Sequence, residues 1–277
     1  MKTIRGGNGL GDALYVQSIA RHLVKKGQRL EVCTSWPDVF KPLGDDVVIA
    51  PFRRPGVDIV AHYVKRKQER GTTQFEDCCI SAGIDEPVEL RLDWAPEKQY
   101  SFKKPLVLVA LPRHPMNRKD GFGDELMPDC SVIQRAIDKM KGRACLVQVG
   151  VGEPLHRFTG LDLDLANKTT VSDLLDIASA ADGFLGYCSF FIPMAESFAK
   201  PLLCVWSSRG LRSSTMFIRT ARPVKLLHRE TSQYVMDDCS QECLTAAVNE
   251  FLEQIANGGK IYREVGGDSR ERAGIAG

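Results

Sequence analysis

The chain has 277 residues, of which 43% are hydrophobic and 26% charged, as in a soluble globular protein with room for two domains. No apolar run approaches the roughly 20 residues that cross a bilayer, and the first residues lack the apolar stretch of a secretory signal, so we expect a cytoplasmic protein. The net charge of +2 is too small to indicate a nucleic-acid partner by itself. The nine cysteines form no Cys-x-x-Cys pair, which favours reduced thiols over zinc ligands.

Strands and helices alternate from the start of the chain. A strand over Lys2–Arg5 leads through a glycine-rich turn, Gly6 to Asp12, into an amphipathic helix over 13–26. Gly27 follows at the position where a left-handed glycine ends helices. Further elements predicted in the first half are strands over 29–34 and 47–50, a helix over 57–70, a helix or irregular segment over 75–82, and an edge strand over 89–92.

The sharpest break lies at residues 94–105, which are rich in Pro, Lys and Glu. The near-continuous apolar run that follows, Leu106 to Leu111, is typical of a parallel strand buried on both faces. The remaining predicted elements are helices over 130–141, 171–180, 193–199 and 244–256, and strands over 144–149, 183–186 and 202–206.

Alternation in both halves predicts an α/β protein of two units. We expect one domain over residues 1–102, a second over 103–257 and a flexible tail over 258–277. Ligands of such sheets bind at the carboxyl ends of the strands, and in two units those ends can face each other across a cleft.

Three segments, in this order, resemble glycosyltransferase family 9, the heptosyltransferase-type enzymes. The first is Gly9-Leu-Gly-Asp-Ala-Leu14, and the second is Leu108-Val-Ala-Leu-Pro-Arg113 followed by Asn117-Arg-Lys119. The third and longest covers residues 170–201, where the spacing from Ala181-Asp182 through Ser189 to Lys200-Pro201 matches the family without a gap. The resemblance implies the GT-B fold, in which two Rossmann-like domains face each other across a cleft.

The third segment also departs from the family pattern. The acidic residue that precedes the serine in the family is Cys188 here, and the Gly-Pro-Met-His that follows it is Phe190-Phe-Ile-Pro193. The donor sugar, its nucleotide and the acceptor are therefore not fixed by the resemblance.

The resemblance implies a metal-independent glycosyltransferase that moves a sugar from a nucleotide-sugar donor to an acceptor hydroxyl. Such an enzyme needs no cofactor besides the nucleotide-sugar, which is a co-substrate. Asp12 would be the general base of an inverting transfer, because the attacking hydroxyl must lose its proton. The residues alone leave Asp12 open between a base and an N-cap of the first helix. Gly7, Gly9 and Gly11 allow close approach of a substrate or diphosphate, or form a tight turn only.

Donor binding has two sets of candidates. Arg113, Arg118 and Lys119 follow the strand over 106–111, where cations would stabilise a departing nucleoside diphosphate; a solvated basic loop is the alternative. The turn at Ser189 offers N–H groups to the diphosphate.

Glu196 lies one turn into the helix after Ser189. The GT-B resemblance implies that it accepts hydrogen bonds from ribose hydroxyls, and an exposed helix charge is the alternative. Phe190 and Phe191 either stack on a base or sugar or belong to the core.

Two other functions stay open. The basic residues Arg53, Arg54 and those of 65–70 are compatible with an anionic acceptor, either a glycan of the lipid A type or the modified (hydroxymethyl) bases of phage DNA. A solvated helix face is the simpler explanation of these residues. The departures at Cys188, Phe190 and Pro193 favour a non-catalytic protein that binds nucleotides or nucleotide-sugars on the same fold.

Overall fold

The computed structural model describes residues 1–63, 72–113, 124–213 and 221–258. Its strands form two sheets, one on each side of the predicted boundary at residue 102, and every strand pair is parallel. The division into domains at that residue stays a prediction, and the predicted tail from residue 259 onward lies outside the described residues. No helix in these described ranges is long and apolar enough to cross a membrane.

The first sheet has the order β3-β2-β1-β4. Its strands are β1 (Lys2–Arg5), β2 (Leu30–Thr34), β3 (Val47–Pro51) and β4 (Ile59–Val60). The helices of this half are α1 (Leu10–Lys25), a 3-10 segment (Pro37–Asp46) and α2 (Gln74–Ser81). The helix predicted over 57–70 is wrong where the structure describes it, because β4 stands there, and the rest of it lies outside the described residues.

Helix α1 connects β1 to β2 and packs its apolar face on the first sheet. It begins at Leu10, because the extended Gly9 is its N-cap, and it ends at Lys25. Gly27, two residues further on, has a φ of +79°, which confirms the predicted left-handed glycine after the helix. Ile4, Ile19 and Leu30 are fully buried in the core between α1 and the strands. The early start of α1 makes Asp12 its third residue.

The second sheet has the order β10-β9-β8-β5-β6-β7. Its strands are β5 (Leu106–Ala110), β6 (Cys145–Val149), β7 (Leu163–Asp164), β8 (Gly183–Tyr187), β9 (Leu202–Trp206) and β10 (Ser232–Met236). Every residue of β5, β8 and β9 is buried. This confirms the interpretation of the apolar run in β5 as a parallel strand buried on both faces, and the strands predicted over 183–186 and 202–206 are β8 and β9.

The helices of this half flank the second sheet. They are α3 (Cys130–Met140), α4 (Val171–Ala180), α5 (Phe191–Ser197), α6 (Ser208–Arg212), α7 (Pro223–Leu226) and α8 (Gln241–Ala256), with a short 3-10 turn at Asp124–Leu126. The edge strand predicted over 89–92 is wrong. Leu90 and Leu92 are buried, but Leu92 N donates to Ser197 O (3.0 Å) at the end of α5 and pairs with no strand.

The two halves touch directly beside the site. Helix α1 packs on α5 so closely that a Cβ at Gly11 would lie 3.0 Å from Pro193 Cγ. In the segment that joins the two halves, Trp94 Nε1 donates to the buried Asp176 Oδ1 (2.7 Å) of α4. These contacts hold the carboxyl ends of the two sheets at opposite walls of one cavity.

Candidate active site

Each sheet has a point where the strand order reverses, and ligands of α/β proteins bind at the carboxyl ends of the strands there. In the first sheet the point lies between β1 and β4, which are followed by the turn Gly6 to Asp12 and by His62-Tyr63. In the second sheet it lies between β5 and β8, which are followed by Leu111 to Arg113 and by Cys188-Ser189. Topology therefore predicts a site at these four strand ends.

A cavity of about 590 Å³ lies at this place and is lined by both halves. The lining residues from the first half include Asn8, Gly9, Gly11, Asp12, Tyr15, Trp36, Tyr63 and Gln74. Those from the second half include Arg113, Gly150, Val151, Thr170, Tyr187, Cys188, Ser189 and Phe190. Among the described lining residues the charged side chains are Asp12 and Arg113, so each half contributes one charge of opposite sign.

Asp12 lies half-buried on the first wall of the cavity. Its Oδ2 accepts a hydrogen bond from Gly9 N (3.0 Å), and a side-chain hydrogen bond joins it to Tyr63. The N-cap alternative for Asp12 is wrong, because Gly9 occupies that position and Asp12 reaches back to it from the third helical residue. Its carboxylate is held by one backbone N–H and one phenol, and it faces the cavity.

Burial raises the pKa of Asp12 above its usual range. The hydrogen bond from Gly9 N, the charge of His62 and the hydrogen bond from Tyr63 each act in the opposite direction and favour the carboxylate. A carboxylate with a raised pKa is a better proton acceptor than a solvated one at neutral pH.

The glycines of the turn serve close packing within the protein. None of Gly7, Gly9 and Gly11 has a left-handed φ. A Cβ at Gly7 would lie 2.3 Å from Asp12 Oδ2, and one at Gly9 would lie 2.9 Å from the same atom. Gly9 and Gly11 line the cavity, whereas Gly7 is absent from the described lining and lies behind the carboxylate. The glycines were predicted to leave space for a substrate, and part of that space is occupied by the Asp12 side chain.

Arg113 lies half-buried on the opposite wall, just after β5. Its backbone N donates to Tyr187 Oη (3.1 Å), and the same hydroxyl donates to Leu111 O (3.0 Å). Burial raises the pKa of Tyr187 to about 12, so the phenol stays protonated and keeps the donated bond. Tyr187 thereby ties the end of β5 to the end of β8.

Ser189 lies at the predicted turn, lines the cavity and accepts from Phe191 N (3.3 Å) through Oγ. Phe190 lines the cavity, but Phe191 is fully buried in the core against Phe184. Burial raises the pKa of Cys188 to about 12, so its side chain is a neutral thiol where the related pattern has an acid.

Glu196 lies on the helix after Ser189, as predicted, but its side chain has neither of the predicted environments. Its side chain is fully buried and absent from the described cavity lining, and its Oε1 accepts from His228 N (3.1 Å) and Ser232 Oγ (2.5 Å). Arg229 Nε lies 3.7 Å from Oε2. Both interpretations are corrected, because neither an exposed helix charge nor a ribose acceptor has this environment.

Arg118 and Lys119 lie outside the described residues, as do the basic residues of 65–70, so their roles stay predictions. Arg53 and Arg54 are exposed, and Arg54 forms an ion pair with Glu31. The described residues contain no group of three or more His, Cys, Asp or Glu side chains that could hold a metal ion.

Sequence reasoning missed much of the cavity wall. The missed residues include Tyr15, Trp36, Tyr63, Gln74, Gly150, Val151, Thr170 and Tyr187. The available signal was position, because Trp36, Tyr63 and Gly150 follow the carboxyl ends of β2, β4 and β6. For Tyr63 the sequence gives no such signal, because residues 57–70 have the pattern of a helix and the short strand β4 is not predicted.

No protein-family model and no curated protein sequence matches the chain. Solved structures do match. The dodecameric iron-containing heptosyltransferase TibC of enterotoxigenic E. coli, in complex with ADP-D-beta-D-heptose, is 14% identical with a TM-score of 0.63, over 92% of this chain and 76% of that one. E. coli ADP-heptose LPS heptosyltransferase II is 13% identical with a TM-score of 0.60, over 92% and 99% of the two chains.

A third match is E. coli heptosyltransferase WaaC with ADP, at 11% identity and a TM-score of 0.56, over 92% of this chain and 100% of that one. The chain has the GT-B fold. The fold expected from the three sequence segments is thereby confirmed. In this GT-B chain the cavity opens between the two sheets, with Asp12 on one wall and Arg113 on the other.

Proposed function

We propose that the protein is a glycosyltransferase that transfers a sugar from a nucleotide-sugar donor to an acceptor hydroxyl. The observation that carries the proposal is the placement of Asp12 and Arg113 on facing walls of one cavity, each at the strand reversal of its own sheet. The similar structures of TibC and WaaC were solved with ADP-D-beta-D-heptose and with ADP, which supports a nucleotide-sugar donor.

The chemistry follows from the two walls. The acceptor oxygen attacks the anomeric carbon, and its proton passes to the Asp12 carboxylate as the new C–O bond forms. The bond from the anomeric carbon to the diphosphate oxygen breaks, and the leaving group carries its electron pair away as a nucleoside diphosphate. Attack from the Asp12 side and departure toward Arg113 give inversion at carbon.

Arg113 supplies positive charge where the leaving group develops negative charge, which is the role that a metal ion has in other phosphate chemistry. Arg118, Lys119 and the backbone at Ser189 are the further candidates for this side. We infer a metal-independent reaction from this arrangement, with acceptor binding on the wall of Asp12.

A non-catalytic nucleotide or nucleotide-sugar binding protein is the second candidate. It is favoured by Cys188, whose buried neutral thiol offers neither the charge nor the hydrogen-bond acceptors of an acid. Binding of a nucleotide-sugar with neither hydrolysis nor transfer would establish this candidate and exclude the first. The candidate that acts on phage-type modified DNA predicts salt-sensitive DNA binding, and its absence at low salt would exclude it.

The transferase and the non-catalytic binding protein both require that the chain binds a nucleotide or nucleotide-sugar. A thermal-shift panel of these ligands, ADP-heptose included, tests that requirement. A ligand at a hundred times its Kd stabilises the folded state by about 2.7 kcal/mol, so one nucleotide class should raise the melting temperature clearly. Mass spectrometry of that donor after incubation, with and without candidate acceptors, separates transfer from simple binding. A flat panel would contradict both the transferase and the binding protein.

A further inference from the structure

Asn167 has a left-handed backbone in the loop between β7 and α4. Its φ is +60°, and it shares this conformation with Ala199 alone among the described non-glycine residues. Its backbone N donates to Gly150 O (2.8 Å). Asparagine enters this region more readily than other residues that carry a Cβ, so its presence here costs little.

The Asn167 side chain binds the next loop reciprocally. Its Oδ1 accepts from Gly152 N (2.8 Å), and its Nδ2 donates to Gly152 O (3.1 Å). An asparagine amide can satisfy both groups of one residue because it carries a donor and an acceptor side by side. Together with the bond to Gly150, three hydrogen bonds from one residue fix the loop Gly150–Gly152 that follows β6.

Arg113 lies against this fixed loop. A Cβ at Gly152 would be 3.1 Å from Arg113 Cδ and 3.6 Å from its Nη1, so the guanidinium stem lies flat on the glycine. Gly150 packs on Leu111 in the same way, because a Cβ at Gly150 would lie 2.7 Å from Leu111 Cβ. Gly150, Val151 and Arg113 all line the cavity.

We propose that Asn167 is a positioning residue for donor binding, which acts by holding the Gly150–Gly152 loop as the surface on which Arg113 is oriented. The inference rests on the proposed function, because it takes Arg113 to face the donor phosphates. It adds a residue more than 50 positions away in sequence that no motif indicates. Asn167 is itself exposed, so its side chain is not part of the hydrophobic core.

The test compares nucleotide affinity in Asn167→Gly with the wild type, using ADP or whichever nucleotide the panel selects. Glycine keeps the left-handed backbone and removes only the two side-chain hydrogen bonds. Loss of two neutral hydrogen bonds that orient Arg113 should raise the donor KM and the nucleotide Kd by roughly tenfold. We expect kcat at saturating donor and the acceptor KM to stay at wild-type values.

Asn167→Asp is the second variant. It keeps the acceptor for Gly152 N but places a carboxylate oxygen against Gly152 O in place of the donor, so its loss of nucleotide affinity should be at least as large as that of Asn167→Gly. Ala199→Gly is the matched control, because Ala199 has φ +54° and is absent from the described cavity lining. It should leave the nucleotide Kd unchanged.

Unchanged nucleotide affinity in folded Asn167→Gly or Asn167→Asp would overturn the inference and leave the proposed function standing. A lower melting temperature with unchanged donor KM would do the same, since that is the mark of a structural role alone. Absence of nucleotide binding in the wild type would overturn the proposed function and the inference with it. The two failures are thereby distinguished.

Discussion

The two strand-to-helix turns that meet at the cavity have the same topology and opposite chemistry. The turn Gly6 to Asp12, which the proposed function assigns to the acceptor side, folds its own carboxylate back onto its backbone, where Gly7 and Gly9 leave room for it. The donor-side turn, Tyr187 to Phe190, offers no carboxylate, and Tyr187 fixes the neighbouring strand end that carries Arg113. The fold supplies two equivalent positions. In the proposed function the first carries the residue that accepts the proton, and the second supports the neighbouring residue that faces the anion.

The largest expected effect comes from removing the acceptor-side carboxylate. Asp12→Asn keeps the shape and the contact with Gly9 but cannot accept a proton, so the transfer rate should fall roughly 100-fold or more. Nucleotide affinity should stay near the wild-type value, because the donor wall is untouched. The exposed Asp45→Asn is the control, and steady-state kinetics with calorimetric binding are the measurements. An undiminished rate would remove Asp12 from its role.

A smaller loss is expected when the same carboxylate is displaced. The new Cβ of Gly7→Ala would lie 2.3 Å from Asp12 Oδ2, so the carboxylate must move. Misplacement of a reacting group by about 1 Å costs up to about 100-fold in rate, and we expect a loss of roughly tenfold here with unchanged nucleotide Kd. In Gly258→Ala, the control, the added Cβ meets nothing within 4 Å, and the φ of +61° adds backbone strain far from the cavity, so this variant shows how far strain alone lowers the rate. Wild-type turnover in Gly7→Ala would show that the carboxylate is not held this tightly.

A substitution in the donor-side turn should change the affinity for nucleotide but not the rate of transfer. Tyr187→Phe removes the hydroxyl that accepts from Arg113 N and donates to Leu111 O. The nucleotide Kd should rise by roughly threefold to tenfold, the range for a lost hydrogen bond, while kcat at saturating donor is unchanged. Tyr234→Phe, on the edge strand β10, is the control. A fall in kcat alone would contradict the division of labour between the two turns.

The smallest effect concerns stability. Because burial raises the folded-state pKa of Asp12 above its unfolded value, the protonated form favours folding, and that contribution is lost as pH rises through the folded-state pKa. Asp12→Asn should therefore melt slightly higher than the wild type at pH 7. The advantage should shrink as pH falls through the folded-state pKa and should be smallest below the unfolded-state pKa. A lower melting point at pH 7 would show that the ionised carboxylate stabilises the fold.

Much of the fold could be predicted from the sequence, because the central strands of the second sheet are continuous apolar runs. Strands and segments at the edges of the sheets have weaker hydrophobic patterns. The strand β10 has the sequence Ser-Gln-Tyr-Val-Met and is only partly buried, so its residues lack the apolar pattern that would predict a strand. Leu90 and Leu92 alternate like a strand, yet they are buried because their segment packs on α5.

The residues of the candidate site also fall into those that the sequence could locate and those that it could not. Asp12, Arg113 and Ser189 lie at the ends of strands that the sequence located, and all three line the cavity. Glu196 does not, because residues 228–232, distant in sequence, enclose its carboxylate. Contacts of this kind, like those of Asn167 and Tyr187, join loops that no local pattern connects.

Hydrogen exchange with and without bound nucleotide tests the central claim most directly. If the donor lies on the wall of the second sheet, backbone amides of residues 150–152 and 187–191 should become protected when nucleotide is added. Amides of the acceptor-side turn, Gly6 to Asp12, should change little until an acceptor is present. Protection confined to Gly6 to Asp12, with residues 150–152 and 187–191 unchanged, would contradict the assignment of the two walls.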